Sequence, residues 1–178
     1  MNPTRLFVML FATSFLAFSL GHYAARTSTP VPAGAGKEAA AAAIYGLILP
    51  DLAGLPQPMA QWAGRVLVVT YWATWCTPCR DEMPAFSHLH EKYVQRGVTF
   101  VGISIDEPEK IETFIRTTPV SYPLLIAGPG VLQATADLGN GPQGLPFTVI
   151  FNREGHIVAS KLGRYAEADL EKLIHRNL

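Results

Sequence analysis

Two cysteines, Cys76 and Cys79, are the residues of this sequence best placed to do chemistry. They lie three apart in the run Trp75-Cys76-Thr77-Pro78-Cys79, after an apolar stretch and at the predicted start of a helix. Cysteines at this spacing in a first helical turn share one face of the helix and are close enough to form a disulfide bond. The free backbone N–H groups and the dipole at a helix start favour the thiolate of Cys76. The spacing therefore predicts a redox-active pair, in which Cys76 attacks and Cys79 resolves.

Two other roles for the pair are less well supported. A structural bridge between residues three apart closes a very short loop and removes little entropy from the unfolded chain. A metal site needs two more ligands, and the nearby His88 and His90 point to different faces of one helix. We expect the five histidines to lie at the surface, and we predict neither a metal nor a cofactor.

Strands and helices alternate in the part of the chain that must position the cysteines. Residues 65–72 and 98–105 are apolar, β-branched runs that predict buried strands. Between them, apolar residues recur at helical spacing from Met83 to Val94, and Gly97 ends the helix. This alternation predicts an α/β fold with helices on both faces of a sheet. The other predicted elements are helices over 109–117, over 131–138 and around Leu170–Ile174, a short strand over 122–127, and a hairpin of strands 148–152 and 156–161.

The N-terminal residues have a different composition. Arg5 is followed by an uncharged, largely apolar run that ends only at Arg26. This pattern is typical of a secretory signal or an uncleaved signal anchor, and about twenty helical residues just span a bilayer. We favour a membrane anchor over 1–26, with a signal peptide cleaved after Ala17-Phe18-Ser19 as the alternative. Arg5 on the cytoplasmic side would place the rest of the chain outside.

Composition indicates one globular domain behind that segment. Hydrophobic residues make up 49% of the 178 residues, which excludes a wholly disordered chain. The 14 basic and 14 acidic residues balance, so the chain lacks the positive field that nucleic-acid binding needs. Residues 27–43, rich in Thr, Ser, Pro, Gly and Ala, predict a flexible, unpacked linker, in which the alanine run 39–43 can be locally helical. The folded domain is then expected over 44–178.

The run 72–80, Trp-Ala-Thr-Trp-Cys-Thr-Pro-Cys-Arg, resembles the active-site sequence of thioredoxin-fold proteins. More narrowly, it is similar to that of the exported TlpA/ResA-like thiol:disulfide oxidoreductases, which include the cytochrome c maturation thioredoxins. The resemblance extends over most of 44–178 and includes Gly144-Leu145-Pro146-Phe147-Thr148. It implies a thioredoxin-like fold in which 44–62 is an N-terminal extension and 106–138 is a central helix–strand–helix insertion.

The same resemblance implies a substrate-binding surface around the cysteines. Pro146 matches a cis-proline that faces the redox pair, and a cis bond before proline is costly enough to imply a purpose when it is kept. The alternative is an ordinary loop proline at the entrance to a strand. Leu145, beside it, is expected to hold the substrate, together with Trp75, Thr77 and Pro78.

The resemblance also implies a proton carrier. Glu82, three residues after the second cysteine, matches a carboxylate that exchanges a proton with Cys79. The alternative is a solvated glutamate that complements the helix dipole. Thr70 stands where cytoplasmic thioredoxins have a buried aspartate, and a hydroxyl cannot replace that aspartate as a base.

The function implied by the resemblance is the reduction of selected exported proteins, such as apocytochrome c or copper-chaperone thiols. The implied partners are disulfide-containing exported proteins, a membrane thiol-electron donor and, through the N-terminal segment, the inner membrane. The implied location is periplasmic or extracytoplasmic. Two alternatives stay open: an exported disulfide oxidase or isomerase with a more oxidising potential, and a Cu(I)-binding module that uses the two thiolates.

Overall fold

The computed structural model describes residues 35–178. The predicted anchor or signal segment over 1–26 and the first part of the predicted linker lie outside the described residues. Within 35–178, no helix has both the length and the apolar character that a membrane crossing requires.

The described residues form seven strands, four α-helices and three 3-10 helices. The strands are β1 (Ile48–Pro50), β2 (Pro56–Pro58), β3 (Val66–Trp72), β4 (Val98–Ser104), β5 (Leu124–Ile126), β6 (Phe147–Phe151) and β7 (Ile157–Leu162). The α-helices are α1 (Ala35–Tyr45), α2 (Thr77–Tyr93), α3 (Pro108–Ile115) and α4 (Glu167–Arg176). The 3-10 helices are Met59–Trp62, Val94–Arg96 and Pro129–Leu138.

A five-stranded mixed sheet lies at the centre, in the order β5-β4-β3-β6-β7. The strands β3, β4 and β5 are parallel, whereas β6 is antiparallel to β3 and β7 is antiparallel to β6. Every residue of β3, β4 and β6 is buried, as the apolar runs predict. The hairpin of β6 and β7 turns at Gly155, whose φ of +84° suits glycine.

Helices cover both faces of the sheet, as predicted. The side chains of α2, α3 and α4 share one apolar core with alternate residues of β3, such as Val68 and Trp72. The intervening residues Val69 and Tyr71 face a second core that contains α1 and the 3-10 helix Pro129–Leu138. This alternation follows from the two-residue period of a strand. The result is a three-layer α/β domain.

Three predicted elements differ from the observed ones. The predicted flexible linker over 27–43 is wrong for its described part, because α1 packs Ala40, Ala41 and Ile44 into the core. The helix predicted over 131–138 is a 3-10 helix, Pro129–Leu138. The strand predicted over 122–127 is limited to β5, three residues long.

The segment that contains β1 and β2 contacts β5, an edge strand of the central sheet. The strands β1 and β2 form a small antiparallel sheet, and the turn between them is held by Asp51, whose Oδ1 accepts hydrogen bonds from the N–H groups of Ala53 and Leu55, both at 2.9 Å. Asp51 also forms an isolated antiparallel bridge with Leu125 of β5. This segment is therefore part of the folded domain.

Candidate active site

The two cysteines lie where β3 leads into α2. Cys76 is the N-cap residue of α2, and its sulfur accepts a hydrogen bond from the N–H of Cys79 at 3.3 Å. The two residues form a disulfide bond across a Cα–Cα distance of 5.3 Å. The preceding turn is anchored by Asp106, which follows β4 and whose Oδ2 accepts a hydrogen bond from the N–H of Thr74 at 2.6 Å. The predicted pairing of the cysteines is confirmed.

The two sulfur-bearing residues differ in access to solvent. For Cys76, 5% of the surface is accessible to solvent, whereas Cys79 is completely buried. The flanking Thr77 and Pro78 are exposed. Trp75 is exposed as well, with 66% of its surface accessible, which is unusual for a large aromatic residue. A partner therefore meets Cys76 first, on an exposed surface that contains an aromatic ring.

Pro146 lies at the same sheet edge as the end of β3. The Leu145–Pro146 peptide bond is cis, as predicted. Phe147, the first residue of β6, pairs with Tyr71, so Pro146 lies level with Trp72, where the chain leaves β3 for the cysteines. The antiparallel pairing of two distant segments thus brings this loop to the edge from which α2 starts.

The backbone groups of Leu145 and Pro146 differ in their hydrogen bonding. The carbonyl oxygen of Pro146 accepts a hydrogen bond from the N–H of Gly163 at 2.8 Å. The N–H and carbonyl groups of Leu145 have no hydrogen-bond partner within residues 35–178. The side chain of Leu145 is half-buried against the apolar core that contains both cysteines.

A buried asparagine, which the sequence analysis missed, shapes the loop before Leu145. Asn140 is fully buried, and its Nδ2 donates to Thr135 Oγ1 at 3.0 Å and to the carbonyl of Gly144 at 3.2 Å. Its Oδ1 accepts from the N–H of Gly144 at 2.8 Å. The signal in the sequence was a polar residue in a glycine-rich stretch, but such stretches are usually solvated loops.

Glu82 is a buried carboxyl group one helical turn after Cys79. It is 2% exposed, and its Oε2 accepts a hydrogen bond from the N–H of Tyr165 at 3.1 Å. Its Oε1 lies 3.5 Å from the hydroxyl of Thr70. Burial raises the pKa of Glu82 to about 7, although these two hydrogen bonds act in the opposite direction. The alternative of a solvated glutamate is therefore wrong.

Charged groups near Glu82 oppose the effect of burial. The positive charges of Arg164 and Lys161 lower the pKa of Glu82, but less than burial raises it. Burial also raises the pKa values of Tyr122 and Tyr165, and the charge of Glu82 adds to both shifts. Both phenols are therefore neutral at physiological pH. Glu82 is the group that titrates there.

The prediction that every histidine lies at the surface is wrong for His90. Its side chain is 8% exposed, its Nδ1 accepts a hydrogen bond from the N–H of Phe100 at 3.4 Å, and burial lowers its pKa. Position 90 lies on the buried, largely apolar face of α2. His88 is exposed and contacts Glu167 at 2.6 Å. Within 35–178, no cluster of three or more His, Cys, Asp or Glu side chains is arranged to hold a metal ion.

Together, the fold and the site define a thioredoxin-like protein. The cysteine pair lies at the start of α2, which follows the central strand β3. A cis-proline precedes β6, the strand that pairs antiparallel with β3. The chain belongs to the AhpC/TSA family, which matches residues 25–160, more than half of its length. Within this thioredoxin-like family it is a thiol:disulfide oxidoreductase similar to the ResA proteins.

Two relatives and one solved structure illustrate the similarity. Thiol-disulfide oxidoreductase ResA of Halalkalibacterium halodurans is 30% identical over 129 residues, which cover 71% of this chain and 70% of that protein. The protein of the same name from Bacillus cereus is 25% identical over 175 residues, which cover 97% of this chain and 94% of the relative. A crystal structure of a thiol:disulfide interchange protein of the thioredoxin family from Chlorobium tepidum superimposes with a TM-score of 0.64 at 26% identity, and covers 74% of this chain and 92% of that one.

Proposed function

We propose that this protein is an exported reductant that reduces disulfide bonds in a limited set of extracytoplasmic proteins. The observation that carries the proposal is the unequal burial of the pair: 5% of the surface of Cys76, at the start of α2, is accessible to solvent, whereas none of that of Cys79 is. An accessible thiolate at a helix start and a protected second thiol are what dithiol–disulfide exchange requires. Apocytochrome c and copper-chaperone thiols are the client classes that we favour.

The exchange begins with the reduced protein. The Cys76 thiolate attacks one sulfur of a client disulfide, forms a mixed disulfide and releases the other client sulfur as a thiolate. Cys79 then loses its proton and attacks the sulfur of Cys76, which breaks the mixed disulfide and releases the second client thiolate. The client gains two electrons and takes up two protons, and Cys76–Cys79 is left oxidised. A membrane dithiol donor then supplies two electrons to restore the reduced pair.

Glu82 is the base that we assign to the second step. It lies one turn from Cys79 on the same helix, and its pKa of about 7 lets it accept and return a proton near neutral pH. The proton that leaves Cys79 passes to the Glu82 carboxylate. Because both groups are buried, this transfer moves the one negative charge from Glu82 to Cys79 and avoids two buried charges side by side.

The client is held next to the cysteines by the backbone of Leu145. Its free N–H and carbonyl groups suit pairing with an extended client segment. The exposed ring of Trp75, with Thr77 and Pro78, offers contact area on the other side of Cys76. Pro146 keeps the loop at this edge, where β6 pairs with β3.

Export is proposed from residues 1–26, where a basic residue precedes an uncharged apolar run. We favour an uncleaved anchor in the inner membrane, with Arg5 on the cytoplasmic side. This arrangement would keep the domain close to a membrane electron donor. The direction of electron flow follows from that donor, because an exported compartment does not itself keep thiols reduced.

Trapping tests the proposal. In the cells that make the protein, full-length Cys79→Ser should accumulate mixed disulfides through Cys76, because the resolving thiol is gone. We expect a small set of exported cysteine-pair proteins and one membrane protein, all released by dithiothreitol and identified by mass spectrometry.

Cys76→Ser is the matched control and should trap nothing at that position. Capture of many unrelated secreted proteins would instead indicate an oxidase or isomerase. The absence of any mixed disulfide with Cys79→Ser would contradict the exchange mechanism itself.

A further inference from the structure

Two buried threonines connect Glu82 to the strand that carries the Pro146 loop. Thr70 on β3 and Thr148 on β6 are register partners and are 2% and 0% exposed. The hydroxyl of Thr148 donates to Thr70 Oγ1 at 3.4 Å, and that of Thr70 donates to Glu82 Oε1 at 3.5 Å. Thr148 is the second residue of β6, two positions after Pro146.

Groups from three other segments, and Cys79 on the same helix, also lie near Glu82, and their effects must be distinguished from that of the threonine pair. Lys161 on β7 and Arg164 after it are positive, and Arg164 is also 4.0 Å from the exposed Asp81. The N–H of Tyr165 donates to Glu82 Oε2. The neutral phenol of Tyr122 comes from the segment before β5, and Cys79 precedes Glu82 on α2. Thr70 is the group that contacts Oε1.

A hydroxyl suits this position because it can serve both protonation states of a carboxyl group. It donates to an ionised carboxylate oxygen, and it accepts a hydrogen bond from a protonated carboxyl group. Both contacts are long for O–H···O hydrogen bonds in the oxidised protein. Such contacts can shorten when the charge develops, because hydrogen bonds to charged groups are shorter and stronger.

We propose that Thr70 and Thr148 are positioning residues for Glu82, Thr70 by direct contact and Thr148 through Thr70. The inference rests on the proposed function, since it gives Glu82 a proton-transfer role. Beyond that function, two hydroxyl groups in series hold the Glu82 carboxyl group, the first of them on β6, the strand that follows the Pro146 loop. Position 70 thus acts through Glu82 and needs no basicity of its own.

The test measures the titration of Glu82 in the purified full-length protein. Thr70→Val removes the hydroxyl and keeps the shape, so the ionised form loses a donor and the pKa of Glu82 should rise by about one unit above 7. Thr148→Val should raise it by less, and Thr70→Ser should restore the original value. The carboxyl carbon of Glu82 reports the pKa by NMR, and the pH profile of client reduction should move by the same amount.

Thr99→Val is the matched control. Thr99 is also a buried strand threonine, but it lies near the start of β4, pairs with Leu67 and bonds to Arg65. Its replacement should leave the titration of Glu82 and the pH profile unchanged. If Thr70→Val fails to fold, Thr148→Val decides: a rise in the pKa supports the inference, and an unchanged pKa overturns it.

Glu82→Gln separates this inference from the proposed function. If it leaves the pH profile of client reduction unchanged, Glu82 is not the base, and the proton step of the proposed function fails. If Glu82→Gln instead abolishes the pH dependence of client reduction, while Thr70→Val and Thr148→Val leave the pKa of Glu82 unchanged, the two threonines do not position Glu82. In that case the role of Glu82 as the base stands.

Discussion

At the scale of single residues, Glu82 makes the stability of the fold depend on pH. Its pKa rises from the ordinary 4.5 to about 7 because the folded protein buries the carboxyl group. Below pH 4.5 the group is neutral in the folded and the unfolded chain, so burial has no charge penalty. As the pH rises from 4.5 through 7, the unfolded chain ionises more readily, and the stability contributed by the neutral form is lost.

Glu82→Gln should therefore make the oxidised protein more stable at high pH only. A neutral amide keeps an oxygen for the N–H of Tyr165 and never ionises. We expect the free energy of unfolding to exceed that of the parent by about 3 kcal/mol at pH 8 and to equal it near pH 4. Urea unfolding at the two pH values measures the difference. Asp81→Asn, at the exposed neighbouring position, should show no such gain at pH 8.

The sequence predicted the cysteine pair well because its geometry is local to one helical turn. The burial of Glu82 followed only from a family resemblance, since it depends on Tyr165, which is 83 positions away. The buried state of His90 was missed, because its neighbours Phe100 and Tyr122 come from other elements. Residue types and spacing reveal a site only when its partners lie close along the chain.

At the scale of elements, Gly102 allows a close approach beside the active-site strand. It lies in the middle of β4 and pairs with Thr70 on one side and Leu124 on the other. A Cβ atom at this position would be 2.7 Å from Leu124 Cδ2, 3.1 Å from Trp72 Nε1 and 3.2 Å from Tyr122 Cε2. The absence of a side chain lets Trp72 and Tyr122 fill this space.

Gly102→Ala should therefore destabilise the protein. The added methyl group overpacks the core beside β4, where Leu124, Trp72 and Tyr122 come closest, and we expect this to cost about 1–3 kcal/mol of the free energy of unfolding. Chemical denaturation measures the loss. Gly128→Ala is the matched control, because its Cβ meets nothing within 4 Å and its φ of −80° suits alanine. Equal stabilities for the two variants would contradict this account of β4.

The elements that the sequence predicted best are those whose burial agrees with their local pattern. The strands β3 and β4 are wholly buried, so a largely apolar run with few polar residues and no charge identifies them. Pro129–Leu138 shows apolar spacing that also suits an α-helix, and the sequence did not reveal its 3-10 geometry. Most of α1 falls within the predicted linker, because its alanine-rich sequence lacks a strong apolar stripe. Its packing depends on contacts with the core around the sheet.

At the scale of the whole molecule, the domain begins earlier than its composition suggests. Ala40 and Ala41, which precede the expected start at 44, are buried with Ile44 in the core that also contains Val69 and Phe151, and Ile44 is completely buried. Tyr45 packs edge-on against the ring of Phe151, with ring centroids 5.0 Å apart. These contacts join the helix to the central strands.

Ile44→Ala should destabilise the folded protein by about 2–5 kcal/mol, because it leaves a cavity under α1. Ile48→Ala makes the same change at a site that is 65% exposed, and we expect a loss below about 0.5 kcal/mol. Thermal unfolding of the two variants provides the comparison. If Ile44→Ala is as stable as Ile48→Ala, α1 does not contribute to the core.

The assembly of the site was the part of the fold hardest to foresee. The cysteines and Pro146 lie about seventy residues apart, and the antiparallel register of β6 on β3 brings their chain segments to one sheet edge. The register of two strands depends on how they pair across the sheet, so the sequence of either segment alone does not reveal it. Without the family resemblance, Pro146 would have been one loop proline among fourteen prolines.

The bridge between Asp51 and Leu125 has a consequence for how these molecules behave at high concentration. A bare edge strand can recruit the strand of another molecule and start aggregation. The bridge covers the outer side of β5, so β7 is the sheet edge that a second copy would find most easily among the described strands. That strand carries the charge of Lys161, and a lysine on an edge discourages such pairing.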